Sequence, residues 1–296
     1  MVLPVVIKNI VKIMSRLFFS FLLLFSTQLI ADQESKSAID ERIASEIASL
    51  DNAFSITPHR PTYILPFAYN LRPNNQVFAG EPGELDRAEI KFQISLKSLV
   101  WKGVFGDRGQ LSLAYTQQSY WQAYNSDNSS PFRETNHEPE VMLTFFTDAS
   151  YFGLRNRILT IGLNHQSNGR AQELSRSWNR IYAQFIFERG DYYLSFKPWI
   201  RLNEDVEDDD NPDIEDYFGH FEIHALYYKN KYEIGLTLRN NLSAENRGAV
   251  QLDWSYPINE QFKGYIQLFS GYGESLIDYD AYVNRIGFGF SLVNWL

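Results

Sequence analysis

From Tyr63 onward, hydrophobic and polar residues alternate with period two, in runs separated by turn residues. In Glu89–Lys97, Ile90, Phe92, Ile94 and Leu96 alternate with Glu89, Lys91, Gln93, Ser95 and Lys97. In Glu233–Arg239, Ile234, Leu236 and Leu238 alternate with Glu233, Gly235, Thr237 and Arg239. Gln251–Tyr256 repeats the pattern with Leu252, Trp254 and Tyr256, and the final run does so with Ile286, Phe288, Phe290 and Leu292. The apolar faces are large and unbroken, while the opposite faces carry Lys, Glu, Asp and Gln. With a turn about every ten residues, the runs number about twelve strands. The expected fold is therefore all-β, a single antiparallel transmembrane β-barrel over residues 61–296, with a polar lumen and an apolar outside. Closure satisfies every backbone group in lipid, which an open sheet does not. There is no internal repeat and no second domain.

The ends of the chain agree with this. The last strand is rich in aromatics (Phe288, Phe290, Trp295), and aromatics make up 16% of the sequence. Residues 1–31 read as a signal peptide: Lys8, Lys12 and Arg16 precede an uncharged run, Leu17–Ala31, of signal-core size and short for a spanning helix. An N-terminal anchor helix is the other reading. Both Met1 and Met14 can serve as the start, because MSRLFFSFLLLF is already a complete signal start. Residues 32–60 are expected to form a periplasmic N-terminal tail. Within it Ile39, Ile43, Ile47 and Leu50 recur at helical spacing, before Pro58 and Pro61. No later run is long and apolar enough for a transmembrane helix. Export plus a barrel places the chain in the outer membrane.

Charge and composition narrow the chemistry. Removing residues 1–31, with three bases and no acid, takes the formal net charge of −9 to −12. That argues against nucleic acid as a partner and is compatible with cations. With no cysteine, disulfides and thiolate sites are excluded.

Strand parity then singles out one hairpin. Leu159, Ile161 and Leu163 form the lipid-facing set of their strand, and the same parity continues to His165 and Ser167. Thr160, Gly162, Asn164 and Gln166 face the lumen. In the returning strand Ile181, Ala183, Phe185 and Phe187 face lipid, and Asn179 shares that parity. Polar groups on such a face are costly unless they pair or do work. His165 and Ser167 stand side by side, with Asn179 across from His165, which suits a nucleophile, a base and an orienting group. In the alternative, His165 and Ser167 belong to an interfacial polar belt and Asn179 caps a turn. Gln117 also shares a lipid-facing parity, with Leu111, Leu113 and Tyr115. It gains there by meeting a polar group of a second copy, or sits at headgroup level.

NHQSNGR…SRSWNR resembles the active-site hairpin of the bacterial outer-membrane phospholipase A family. The likeness extends to YTQQSYWQAYNSDNSSPFRETNHEPE (115–140), KPW (197–199), DDNPDI (209–214) and LFSGYGESLIDYD (268–280), across most of residues 60–296. The resemblance implies a twelve-stranded barrel with its active site on the outer-leaflet side. It also implies calcium-dependent hydrolysis of phospholipid acyl esters (A1, A2 and lysophospholipase activity) and activation by homodimerisation, with membrane phospholipids as substrate. By the same resemblance, Ser167 is the nucleophile, His165 the base and Asn179 the orienting residue. The Gly169 N–H contributes to an oxyanion hole. Ca2+ is held by the Arg170 carbonyl, by Ser175 and by Ser129 of the partner subunit, and Asp210 matches a carboxylate of an alternative calcium site. Gln166 and Gln172 stand where the family can carry acidic residues, and the acidic loop 203–217 is longer here. Outside the resemblance, His220 and His224 read as one lumenal strand face, and His59 and His137 carry no pattern. A non-enzymatic small barrel, a structural protein or adhesin, is the competing function.

Overall fold

The computed structural model describes residues 37–49, 55–78, 84–205, 207, 209–259 and 261–293. The predicted export segment, residues 1–31, and both possible starts lie outside the described residues.

The strands are β1 (Ile56–Pro58), β2 (Thr62–Asn70), β3 (Ala88–Phe105), β4 (Arg108–Trp121), β5 (Phe132–Tyr151), β6 (Leu154–Ser167) and β7 (Ser177–Arg189). They continue with β8 (Tyr192–Leu202), β9 (Phe221–Lys229), β10 (Tyr232–Asn240), β11 (Gly248–Pro257), β12 (Lys263–Gly271) and β13 (Val283–Val293). Sequential neighbours from β2 to β13 pair antiparallel, and β13 pairs with β2, closing twelve strands into a barrel. The three-residue β1 pairs with β3 beyond the point where β2 leaves it. It continues the line of β2 across the break His59–Pro61, where Pro61 has no N–H to give the ladder.

The alternation resolves as an inside-out protein. Glu89, Lys91 and Ser95 are buried, whereas Ile94 and Leu96 are over 40% exposed. The outer surface is the apolar one, as lipid requires. Turns between β3–β4, β5–β6, β7–β8 and β9–β10 have two residues each, and the connections at the other end are long. One end is thus compact, while the other carries the loops.

The lumen is filled by ion pairs and by edge-to-face and tilted aromatics rather than open. A cavity of about 270 Å³ remains, lined by groups such as Arg60, Glu138, Arg180, Lys197 and His224. The short-turn mouth is covered by helix α1 (Ala38–Ser49). Its start is capped reciprocally: Ser37 Oγ accepts from Asp40 N–H at 3.3 Å, and Asp40 Oδ2 accepts from Ser37 N–H at 3.1 Å. Ile39 is buried against Ile158, Tyr193 and Leu226 with Ile43 partly buried beside it, so the first turns put their apolar side into the barrel, while Ile47 stays exposed. Asp40 meets Arg157, and Lys97 donates to Glu46 at 2.6 Å.

Candidate active site

The β6–β7 hairpin places the singled-out residues. Leu163 faces Ile181, His165 faces Asn179 and Ser167 faces Ser177. Ile161, Leu163 and Ile181 are exposed, while Asn164 and Arg180 are buried. The predicted parity holds: His165, Ser167 and Asn179 stand on the outer surface, at the long-loop end.

His165 Nδ1 and Asn179 Oδ1 are 2.8 Å apart. Asn179 Nδ2 donates to Glu204 Oε1 at 2.6 Å, so its amide oxygen is the end turned to the ring. An amide oxygen only accepts, so Nδ1 carries the hydrogen and Nε2 keeps its lone pair. Ser167 follows two residues along the same face. Among the described residues no hydrogen bond joins its hydroxyl to His165, and such contacts commonly close only when substrate is bound.

The lumenal side of the hairpin is braced. Arg180 donates to Asn164 Oδ1 through Nε and Nη2, at 3.1 and 2.6 Å, and to Glu138 at 3.1 Å. Its guanidinium lies 3.9 Å over the Trp178 ring, and Trp178 Nε1 donates to Gln166 at 2.9 Å. Strand side chains that cannot shift inward hold their outward neighbours in place.

The loop after Ser167 folds around Asn168, which is buried. Its Oδ1 accepts from the N–H groups of Arg170 (3.3 Å) and Arg176 (3.0 Å), and its Nδ2 donates to the Leu174 carbonyl at 2.8 Å. Gly169 has φ +63°, a conformation that suits glycine, and a methyl there would lie 3.9 Å from His137 Nε2. Ser175 donates its hydroxyl hydrogen to Asp210 Oδ2 at 2.5 Å, so two predicted metal-site residues meet. Arg170 is close by in sequence, its guanidinium bonded to the carbonyls of Phe132 and Arg133. Ser129 is exposed in the β4–β5 loop with φ +57°. The oxygen donors suit a hard cation such as calcium. No group of three or more His or acidic residues is placed to hold a metal among the described residues.

Gln117 lies on the outer face with its amide engaged: Nε2 donates to Ser119 Oγ at 3.1 Å, and Oε1 accepts from Tyr115 at 3.3 Å. The register pairs it with His137, which pairs in turn with Ser167. His137 Nδ1 lies 2.6 Å from Tyr115 Oη. His137, Asn168 and Glu204 were not foreseen from the sequence. Parity with Val141 on β5 was the available signal for His137. One reading is corrected: His220 precedes β9, is exposed and meets Glu215 at 3.1 Å, whereas His224 is buried and bonded to Thr237. Turn-forming residues before Phe221 end the strand one position short of His220.

The family model described as Phospholipase A1 matches residues 39–292. Phospholipase A1 of Klebsiella pneumoniae is 38% identical, over 84% of this chain and 86% of the relative. That of Escherichia coli (strain K12) is also 38% identical, with the same coverage. Among solved structures, outer membrane phospholipase A from Escherichia coli aligns with TM-score 0.80 and 36% identity, over 86% of this chain and 98% of that one. The Salmonella typhi outer membrane phospholipase dimer with bound calcium aligns with TM-score 0.78 and 36% identity, over 82% and 94%.

Proposed function

The chain belongs to the phospholipase A1 family, and we propose that this outer-membrane phospholipase uses Ser167 as nucleophile, His165 as general base and Asn179 as orienting residue. The observation that carries this reading is the 2.8 Å bond between His165 and Asn179 on the lipid-facing surface, two register positions from Ser167. His165 Nε2 takes the Ser167 proton as Oγ attacks an acyl ester carbonyl of a glycerophospholipid. The proton then passes to the departing lysophospholipid alkoxide, leaving an acyl-serine. Water, deprotonated by the same nitrogen, releases the fatty acid and restores the hydroxyl. The Gly169 N–H, in a turn fixed by Asn168, donates to the oxyanion. The Arg170 carbonyl, Ser175 and Ser129 of the partner subunit would hold Ca2+, and Asp210 would serve an alternative site. Bound there, the ion would supply Lewis-acid stabilisation of negative charge.

With Ser129 contributed by a second copy, dimerisation completes the donor set and an isolated barrel stays silent. Gln117, on the outer face, belongs to the dimer contact. Family membership leaves no support for a purely structural barrel or adhesin.

The test is fatty-acid release from mixed phospholipid–detergent micelles, with calcium or chelator. Ser167→Ala and His165→Ala are expected to fall by about 10⁴-fold or more. Chelation should silence the wild type. Full activity in either variant refutes the assignment, and specific activity that stays constant on extreme dilution refutes the dimer step.

A further inference from the structure

We propose that Glu204 is a positioning residue for the reaction, the outer member of a hydrogen-bonded chain His165–Asn179–Glu204. The inference rests on the catalytic reading above. The register pairs Asn179 with Leu202, the last residue of β8. Glu204 comes two residues later, on the same parity, at the start of the acidic loop. It is half-buried, and its Oε1 takes Asn179 Nδ2–H at 2.6 Å. Among the described residues it makes no other hydrogen bond or ion pair.

The bond answers a difficulty built into an asparagine at this place. An amide presents an acceptor at one end and a donor at the other. Turned by 180°, Asn179 would offer N–H to the imidazole and force the hydrogen onto Nε2. That is the wrong tautomer for a base, and in a serine protease it costs on the order of 10⁴ in kcat. With Glu204 in place, the turned amide would also set Oδ1 against a carboxylate. Both ends then favour one orientation, and a negative charge lies one amide away from the forming imidazolium. A carboxylate at position 179 could not do this, because it has no N–H for Glu204 and would face it as a like charge.

Steady-state kcat and KM on mixed micelles test the proposal, with folding checked by heat-modifiable gel mobility. Glu204→Ala should lower kcat roughly 10- to 100-fold, the worth of a charge-assisted hydrogen bond, with KM little changed. Glu204→Gln, which can still accept from the Asn179 amide, should lose less. Asn179→Asp should be severely impaired, and adding Glu204→Gln should restore it in part, because the glutamine amide donates to the new carboxylate. The calcium concentration for half-activation should not move in Glu204→Ala. If Ser167→Ala is dead but Glu204→Ala has wild-type kcat, this inference fails and the catalytic assignment stands. No rescue in the double variant, or a shifted calcium midpoint, also overturns it. Activity surviving Ser167→Ala would overturn both.

Discussion

Arg133 tests how the barrel holds charge inside itself. Its Nε and Nη2 donate to Glu89 at 3.0 Å each, and Nη1 donates to Asp278 at 2.6 Å. Arg285 reaches Glu89 and Glu274 at 2.8 Å, and Lys91 reaches Glu274 at 3.0 Å. Three cations face three carboxylates, none more than 4% exposed, so the cluster is neutral. Arg133→Met keeps most of the volume and removes one charge. Glu89 would retain Arg285, but Asp278 would keep only the Ser275 hydroxyl, at 2.9 Å. Orphaning one side of a buried pair costs about 3–5 kcal/mol. With a urea slope of about 3 kcal/mol per molar, the unfolding midpoint should fall by roughly 1 to 2 M. The assay is urea unfolding of the folded barrel in detergent, followed by the fluorescence of its tryptophans. Arg133→Met combined with Asp278→Asn restores neutrality and should recover over half of the loss. An unchanged midpoint in Arg133→Met would refute the premise that these pairs hold the lumen together. A double variant no better than the single would show that packing, not charge, was lost.

Acid should loosen α1. The hydrogen bond from Arg157 holds the Asp40 carboxyl below its ordinary range. Burial pushes Glu46 up, but Lys97 and Arg42 outweigh it and leave it lowered too. A lowered carboxylate contributes fully above its unfolded pKa of about 4 and loses that contribution as pH falls through the folded value. A spin label on Ala44→Cys, in a chain without native cysteine, should stay slow above about pH 5 and become mobile below pH 4. Mobility independent of pH would refute the ion-pair account. Gly162 is covered by the Tyr182 ring, and a Cβ there would come within 2.4 Å of its Cζ. Gly162→Ala should therefore cost about 1–3 kcal/mol by urea unfolding, and less in a Tyr182→Ala background.

Legibility followed periodicity. The barrel could be read because Glu89, Lys91 and Ser95 are inside while Ile94 and Leu96 face out, and a period of two states that directly. The hairpin could be read for the same reason, since parity carries from Ile161 through Leu163 to His165, and from Ile181 back to Asn179. Where the chain leaves the ladder, the pattern stops. Ser175 meets Asp210 across two loops, and no local rule sets that distance. Glu204 was visible only as one acid in an acidic run, because its role depends on the β7–β8 register and on the path taken after Leu202. His137 was hidden otherwise: its strand was legible, but its neighbours Gln117 and Ser167 come from pairings on both sides.

The same inversion separates what holds the protein together from what it does. The Arg133–Glu89–Arg285–Glu274–Lys91 groups in the lumen are paired and buried, so their loss should appear first as instability. Polar groups outside meet the substrate's own medium, where each unsatisfied donor is expensive. Around the site such groups are engaged: Ser119, buried, lies 3.2 Å from Thr135 Oγ1, Gln117 is bonded to Ser119 and Tyr115, and Asn179 is engaged at both ends of its amide. Within that row, His165 Nε2 is left without a bond among the described residues, and Ser167 follows two residues along the same strand face. On the proposed assignment, that acceptor is the one that would take the Ser167 proton at the edge of the lipid. Replacements at Ser167 and His165 should therefore abolish turnover while leaving urea midpoints close to wild type, the reverse of Arg133→Met.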